Sequence, residues 1–179
     1  MLTLLTFFPL AGVLLILLMN STAEENIKRT AVGTSIITFI ISLVVLALYD
    51  AGDAGLQLVE RALWIPALNI RYYMAVDGLS ILMVLLTTFI SMLAIAGSWT
   101  AITEQVKSYY IFMLLLEVGM TGVFLAQDLF LFYIFWEFTL VPMYFLIGIW
   151  GGSRRVYASI KFFLYTMAGS LLMLLAILY

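Results

Sequence analysis

Three ionisable residues stand inside long apolar stretches, and they are where this sequence could do chemistry. Glu137 lies within Leu129–Trp150, Glu117 within Tyr109–Gln127, and Lys161 near the start of Val156–Tyr179. A carboxyl in a dry site disfavours its anion, and a nearby cation restores it. A glutamate moved between those two conditions takes up and gives away a proton near neutral pH, which is the chemistry of a proton relay. An ionisable group at membrane depth is costly and marks a functional site by default, so Glu137 is the leading candidate. Pro142 adds to it. Proline has no N–H, so the carbonyl of Phe138 loses its helical partner one residue from the glutamate. Proline also occurs in membrane helices for packing alone. Glu117 reads as a second relay carboxyl or as a hydrogen bond between helices. Lys161 reads as a third relay group or as a side chain that snorkels to the surface.

The elements that must hold these residues are membrane helices. Of 179 residues, 65% are hydrophobic and 10% charged, against about 25% charged in a soluble domain. Mean hydropathy is +1.18. A water-facing surface cannot be built from so few charges. About 20 apolar residues cross a bilayer, and six runs of that size predict spans at 2–19, 30–49, 78–103, 109–127, 129–150 and 156–179. The runs are long and do not alternate, which favours helices over barrel strands. The predicted fold is therefore an all-α, polytopic transmembrane helix bundle, 1–179 forming one integral-membrane domain. The first run has no charged leader and no clean cleavage site, so it reads as a retained helix.

Lys28, Arg29, Lys107, Arg154 and Arg155 fall in alternate loops and Arg61 and Arg71 in the opposite set. Five against two places the first set in the cytoplasm and the N-terminus outside. The long extracellular loop 50–77 holds Gly52, Gly55, Pro66 and Trp64 and predicts either a hairpin against the membrane or an irregular loop. Spans four and five, joined through Gln127 and Asp128, must be antiparallel neighbours. Asp77 and Asp128 suit helix N-caps. The aromatic residues of span five, Tyr133 among them, read as lipid-facing or packing side chains. A rise of about 1.5 Å per residue puts Lys161 roughly 7 Å, Glu117 roughly 12 Å and Glu137 roughly 20 Å from the cytoplasmic ends. If the helices adjoin, these depths predict a water-bridged ladder.

Neither Cys nor His is present, which excludes disulfides, thiolate chemistry, iron–sulfur ligation and His/Cys zinc sites in this chain. A net charge of −2, with no long run of one sign, gives no sign of a nucleic-acid partner.

The stretch 128–152, DLFLFYIFWEFTLVPMYFLIGIWGG, resembles the fifth helix of the antiporter-like M chains of proton-translocating NADH–quinone oxidoreductase, respiratory complex I. The following Arg155…Ala158…Lys161-Phe-Phe-Leu-Tyr-Thr166…Gly169-Ser170 resembles the sixth helix, and Val76-Asp77-Gly78-Leu79-Ser80 and Leu116-Glu117…Gly122-Val-Phe match as well. The resemblance implies a membrane-arm subunit of an enzyme complex of the bacterial inner membrane. Such a subunit is not catalytic alone, and its partners are the adjacent antiporter-like subunits and the lipid. It implies that Glu137, of the Trp136-Glu137 pair, belongs to a pumping site and pairs with a lysine on a later, broken helix. NADH, FMN, iron–sulfur clusters and quinone are then handled by other subunits, with no cofactor in this chain. Members are longer and built from two inverted repeats. The expectation is an incomplete first repeat, from a truncated frame or a split gene. The alternatives are a subunit of a multi-subunit cation/proton antiporter, a membrane-bound hydrogenase chain, or a fragment that inserts without function.

Overall fold

A computed structural model describes residues 1–53, 55–68 and 70–179. Six helices are found among them: α1 Leu2–Leu18, α2 Glu24–Leu48, α3 Gly78–Gly97, α4 Val106–Leu125, α5 Leu129–Trp150 and α6 Arg155–Leu178. Two strands, β1 Gln57–Ile65 and β2 Ile70–Val76, form an antiparallel hairpin between α2 and α3. Five of the helices, α2 to α6, are long and apolar enough to cross a membrane. The 17 residues of α1 rise about 25 Å, at the short limit for a span.

Two helices differ visibly from the apolar runs. α2 begins at Glu24, well before Thr30, because charge does not stop a helix. Glu24 and Glu25 occupy its first turn, where the helix dipole favours anions, and Glu25 pairs with Arg29 one turn on at 2.9 Å. α3 stops at Gly97, six residues short of Thr103. The carbonyl of Trp99, just beyond it, accepts a hydrogen bond from the Lys28 ammonium at 2.7 Å. Lys107 likewise donates to the carbonyls of Leu17 and Met19, at 2.9 and 2.7 Å. Two lysines that read as orientation signals thus also cap the C-terminal ends of α3 and α1, where orphan carbonyls favour cations.

The loop that the sequence leaves open between hairpin and irregular chain is a hairpin, with Glu60 opposite Met74, Arg61 opposite Tyr73 and Leu63 opposite Arg71. It closes one end of the bundle. The Glu60 carboxylate accepts from the N–H groups of Leu2 and Thr3 at 2.8 and 2.9 Å, and also contacts the Met1 amine and the Thr3 hydroxyl. It seats an anion on the N-terminus of α1. β2 accepts from Gln127 N at Tyr73 O, 2.9 Å, which ties the hairpin to the α4–α5 turn. Asp128 caps α5 through Phe130 N and Leu131 N and also accepts from Arg71 N at 3.1 Å.

Helices α1 to α4 form a bundle, α5 packs on the far side of α4, and α6 packs on α5. Small residues set these seams. Gly12 of α1 faces Thr34 of α2, Gly119 and Gly122 of α4 face Thr139 and Phe135 of α5, and Gly148 of α5 faces Ser159 of α6. Without a hydrophobic drive between helices in lipid, such close approach supplies the packing. Inside the four-helix part, Ser42 of α2 meets Thr88 of α3 at 2.9 Å, and Thr34, Ser35 and Thr38 are buried alongside.

A Cβ at position 122 would fall within the Phe135 ring, whereas one at position 33 meets nothing within 4 Å. Gly122→Val is expected to cost about 1–3 kcal/mol, read as a lower thermal midpoint in detergent, while Gly33→Val leaves the midpoint in place. At the head of α3, Asp77 accepts from Ser80 N at 2.7 Å and Leu79 N at 3.1 Å, and Ser80 Oγ accepts from Asp77 N, a capping box. The Ser80 N–H, chiefly, holds the Asp77 carboxyl below its ordinary value, against a smaller opposing effect of burial. A lowered folded-state value means that the cap is fully present at neutral pH and is lost as pH falls through that value. Amide exchange at Leu79 and Ser80 should therefore accelerate on acidification below the usual carboxylate range. In Asp77→Asn the rates should lack that acid-dependent increase.

Candidate functional site

The Asp128 cap fixes where α5 starts, and Glu137 follows nine residues later, about 13 Å along the helix. That is close to mid-span. The side chain is partly buried, and its Oε1 is buried with no hydrogen-bond partner among the described residues. Buried polar atoms are nearly always paired, so an orphan carboxyl oxygen singles the position out. Pro142, buried one turn beyond, removes the N–H that would have served the Phe138 carbonyl. One residue away, then, a backbone acceptor lacks its helical donor.

Tyr133 lies one turn before Glu137 on α5. The helix register sets what stands across the seam. Gly148 faces Ser159 and the rings of Tyr144 and Phe163 stack edge to face at 5.6 Å. Continuing the same antiparallel register by seven residues on each helix brings Glu137 level with Ser170. Ser170 is one of two buried residues on α6, the other being Ser159. Both belong to the α5 seam.

Glu117 is fully buried in α4, and neither carboxyl oxygen has a hydrogen-bond partner among the described residues. It does not face Glu137. Gly119 and Gly122, which meet α5, stand roughly 200° and 140° around the helix from Glu117 at about 100° per residue. Glu117 shares its side of α4 with Tyr110, Leu114, Thr121 and Leu125, all buried towards α1–α3. Lys161 is exposed on α6, with its ammonium 5.8 Å from the Tyr157 ring centre and the Arg154 guanidinium 6.0 Å from the same ring. Nine residues separate it from Ser170, about 13 Å of helix.

The ladder of depths therefore needs correction. Glu137 lies on the α5–α6 seam, Glu117 inside the α1–α4 core and Lys161 on the open face of α6. Depth along an axis is readable from spacing, but direction around it depends on which neighbour the small residues admit. Sequence reasoning also missed Ser170, the buried hydroxyl level with Glu137 across the seam. It missed the buried hydroxyls of α2 too, although Thr30, Thr34, Thr38 and Ser42 recur every fourth residue of an apolar helix.

Residues 126–179, which contain all of α5 and α6, match the family model described as NADH:quinone oxidoreductase/Mrp antiporter, TM. NADH-quinone oxidoreductase subunit M of Rhodobacter capsulatus is 47% identical over 180 residues, covering 98% of this chain and 35% of that protein. Subunit M of Rickettsia conorii is 41% identical over 178 residues, covering 97% and 36%. The chain thus spans about a third of the length of the curated relatives it matches. Among solved structures, respiratory complex I from Thermus thermophilus superposes with a TM-score of 0.83 at 27% identity, over 99% of this chain and 35% of that one. The Mrp complex from Dietzia sp. DQ12-45-1b shares the fold, with a TM-score of 0.71 at 22% identity over 98% of this chain and 18% of that one. The setting is a multi-pass protein of the bacterial inner membrane; residues 126–179 match the NADH:quinone oxidoreductase/Mrp antiporter model, and along nearly its whole length the chain is similar to a stretch of the subunit M proteins.

Proposed function

We propose that this chain forms part of an antiporter-like, proton-translocating subunit in the membrane arm of NADH–quinone oxidoreductase, with Glu137 as its proton carrier. The observation that carries the reading is the Glu137 carboxyl itself, at mid-span, with one oxygen buried and unpaired, beside the carbonyl that Pro142 releases. An approaching positive charge favours the anion of a carboxyl over its acid. A cation that draws near and withdraws makes the group release and recover a proton. Such a charge would come from outside these residues, since Lys161 is well removed along α6 and faces outward. In this reading Glu117 is a second relay carboxyl, serving the α1–α4 core, and Lys161 a relay group close to the cytoplasmic surface.

Electron transfer then belongs to other subunits. The absence of Cys and His from the sequence supports this, and NADH, FMN, iron–sulfur clusters and quinone are assigned to those partners. The neighbours are other membrane-arm subunits and lipid. A second reading, a subunit of a cation/proton antiporter, is favoured by the family model's joint description and by the fold shared with the Mrp complex.

Glu137→Gln in the complete subunit, assembled in its complex, separates these readings. NADH-driven proton uptake into vesicles is expected to fall to background while the complex still assembles on a native gel. Undiminished NADH-driven uptake in the variant would remove Glu137 from the path. Cation/proton exchange without NADH, lost in the variant, would move the assignment to the antiporter.

A further inference from the structure

We propose that the Glu117 carboxyl holds a water molecule inside the α1–α4 core, in a layer of hydroxyl groups between two dry apolar clusters. Such a site stands independently of any relay by Glu117. The core of these four helices is apolar at both ends. At the hairpin end Leu5, Val45, Val84 and Leu125 belong to one cluster, one from each helix. At the far end Ile16, Ala31, Ile95 and Leu114 belong to the other. In the interval the buried residues change type. On α2 they are Thr34, Ser35, Thr38 and Ser42, and on α3 Thr88 and Ser91. On the side of α4 that faces α1–α3, the interval brings Glu117 and Thr121. Glu117 is fully buried, and both of its carboxyl oxygens lack a hydrogen-bond partner among the described residues. An unpaired carboxyl thus enters the core at the level where hydroxyls replace apolar side chains. Buried polar atoms are nearly always paired, with protein or with ordered water.

The hydroxyls have already spent their hydrogens. Thr38 donates to the Thr34 carbonyl at 3.0 Å and Ser42 to the Phe39 carbonyl at 2.7 Å. Thr88 donates to the Val84 carbonyl at 3.1 Å, and Thr121 to the main-chain carbonyl of Glu117 at 2.8 Å. Thr34 and Ser35 donate back along α2 in the same way. Each hydroxyl has one hydrogen, so lone pairs are what remain. The layer is rich in acceptors and poor in donors, and a ligand suited to it brings hydrogens or positive charge. Water brings two hydrogens and also accepts. With Glu117 protonated, water accepts the carboxyl hydrogen and donates to hydroxyl lone pairs. With Glu117 ionised, water turns a hydrogen to the carboxylate. About three polar partners suffice for a buried water. A hard cation takes about six oxygens or more, and the main-chain carbonyls in this interval are engaged by helix N–H groups. The acceptors left over therefore suit water and fall short of a cation shell.

The test is a map of the complete subunit in its assembled complex, by electron cryo-microscopy at a resolution that shows ordered water. A peak is expected within about 3 Å of a Glu117 carboxyl oxygen and of a hydroxyl oxygen of α2 or α3. In E117L, whose side chain makes no hydrogen bond, the peak should be lost. In E117Q, whose amide donates and accepts, it should remain. A wild-type map with waters elsewhere at membrane depth and none at Glu117 would overturn the site. A peak that persists in E117L would overturn it too, since the carboxyl would not be what holds the water. A peak that grows with sodium concentration would replace the water by an alkali cation. If E117L does not assemble, wild-type maps with and without sodium carry the test by themselves. Pumping is read apart from this: NADH-driven proton uptake unchanged in E117Q would remove Glu117 from the relay and leave the water site standing.

Discussion

Hydrocarbon cannot hydrogen-bond, so every backbone N–H and C=O at membrane depth must be satisfied from within the chain. The interior of each helix meets this demand by itself. Its two ends do not, and the connecting segments are organised around them. At one end of the bundle, Glu60 serves α1, the Asp77–Ser80 box serves α3, and Asp128 serves α5 while accepting from β2. At the other end, Lys107 serves α1 and Lys28 serves α3. The signs follow the helix dipole, anions at N-termini and cations at C-termini. The hairpin is thus more than a connection. It brings carboxylate and backbone groups to three helix ends at once, and those ends set how far along the membrane normal each helix sits.

The second demand is lateral. Apolar side chains gain little by leaving lipid for one another, so helices meet where glycine, serine and threonine let backbones approach. On α4 these seams fall on opposite sides. Gly119 and Gly122 admit α5, and the Tyr110–Leu114–Glu117–Thr121 stripe faces α1–α3. The direction of Glu117 follows from that division: the close-packed α5 side has no room for a glutamate side chain.

Much of this was legible from residue types. The helical spans, the caps at Asp77 and Asp128 and the mid-span depth of Glu137 near Pro142 all follow from local rules of charge, turn chemistry and helical rise. Helix ends moved where the local rule was incomplete. Glu24 to Arg29 read as loop because charge was weighed against a membrane, yet a helix can extend beyond the bilayer with its charges in water. What spacing could not supply was azimuth. The depths of Glu117, Glu137 and Lys161 were calculable, but the faces they occupy depend on tertiary contacts among glycines that no single helix contains.

Azimuth also bears on the chemistry of Glu137. A carboxyl facing α4 would have been sealed between Gly119, Phe135 and Thr139, in a seam with no space for a proton donor to move. On the α6 side it lies level with the buried Ser170, and α6 is otherwise mostly exposed. A carrier that must accept and release a proton needs partners that can reverse their donor direction, and hydroxyls can do so at the cost of a rotation. A fixed guanidinium or backbone N–H would hold one state only.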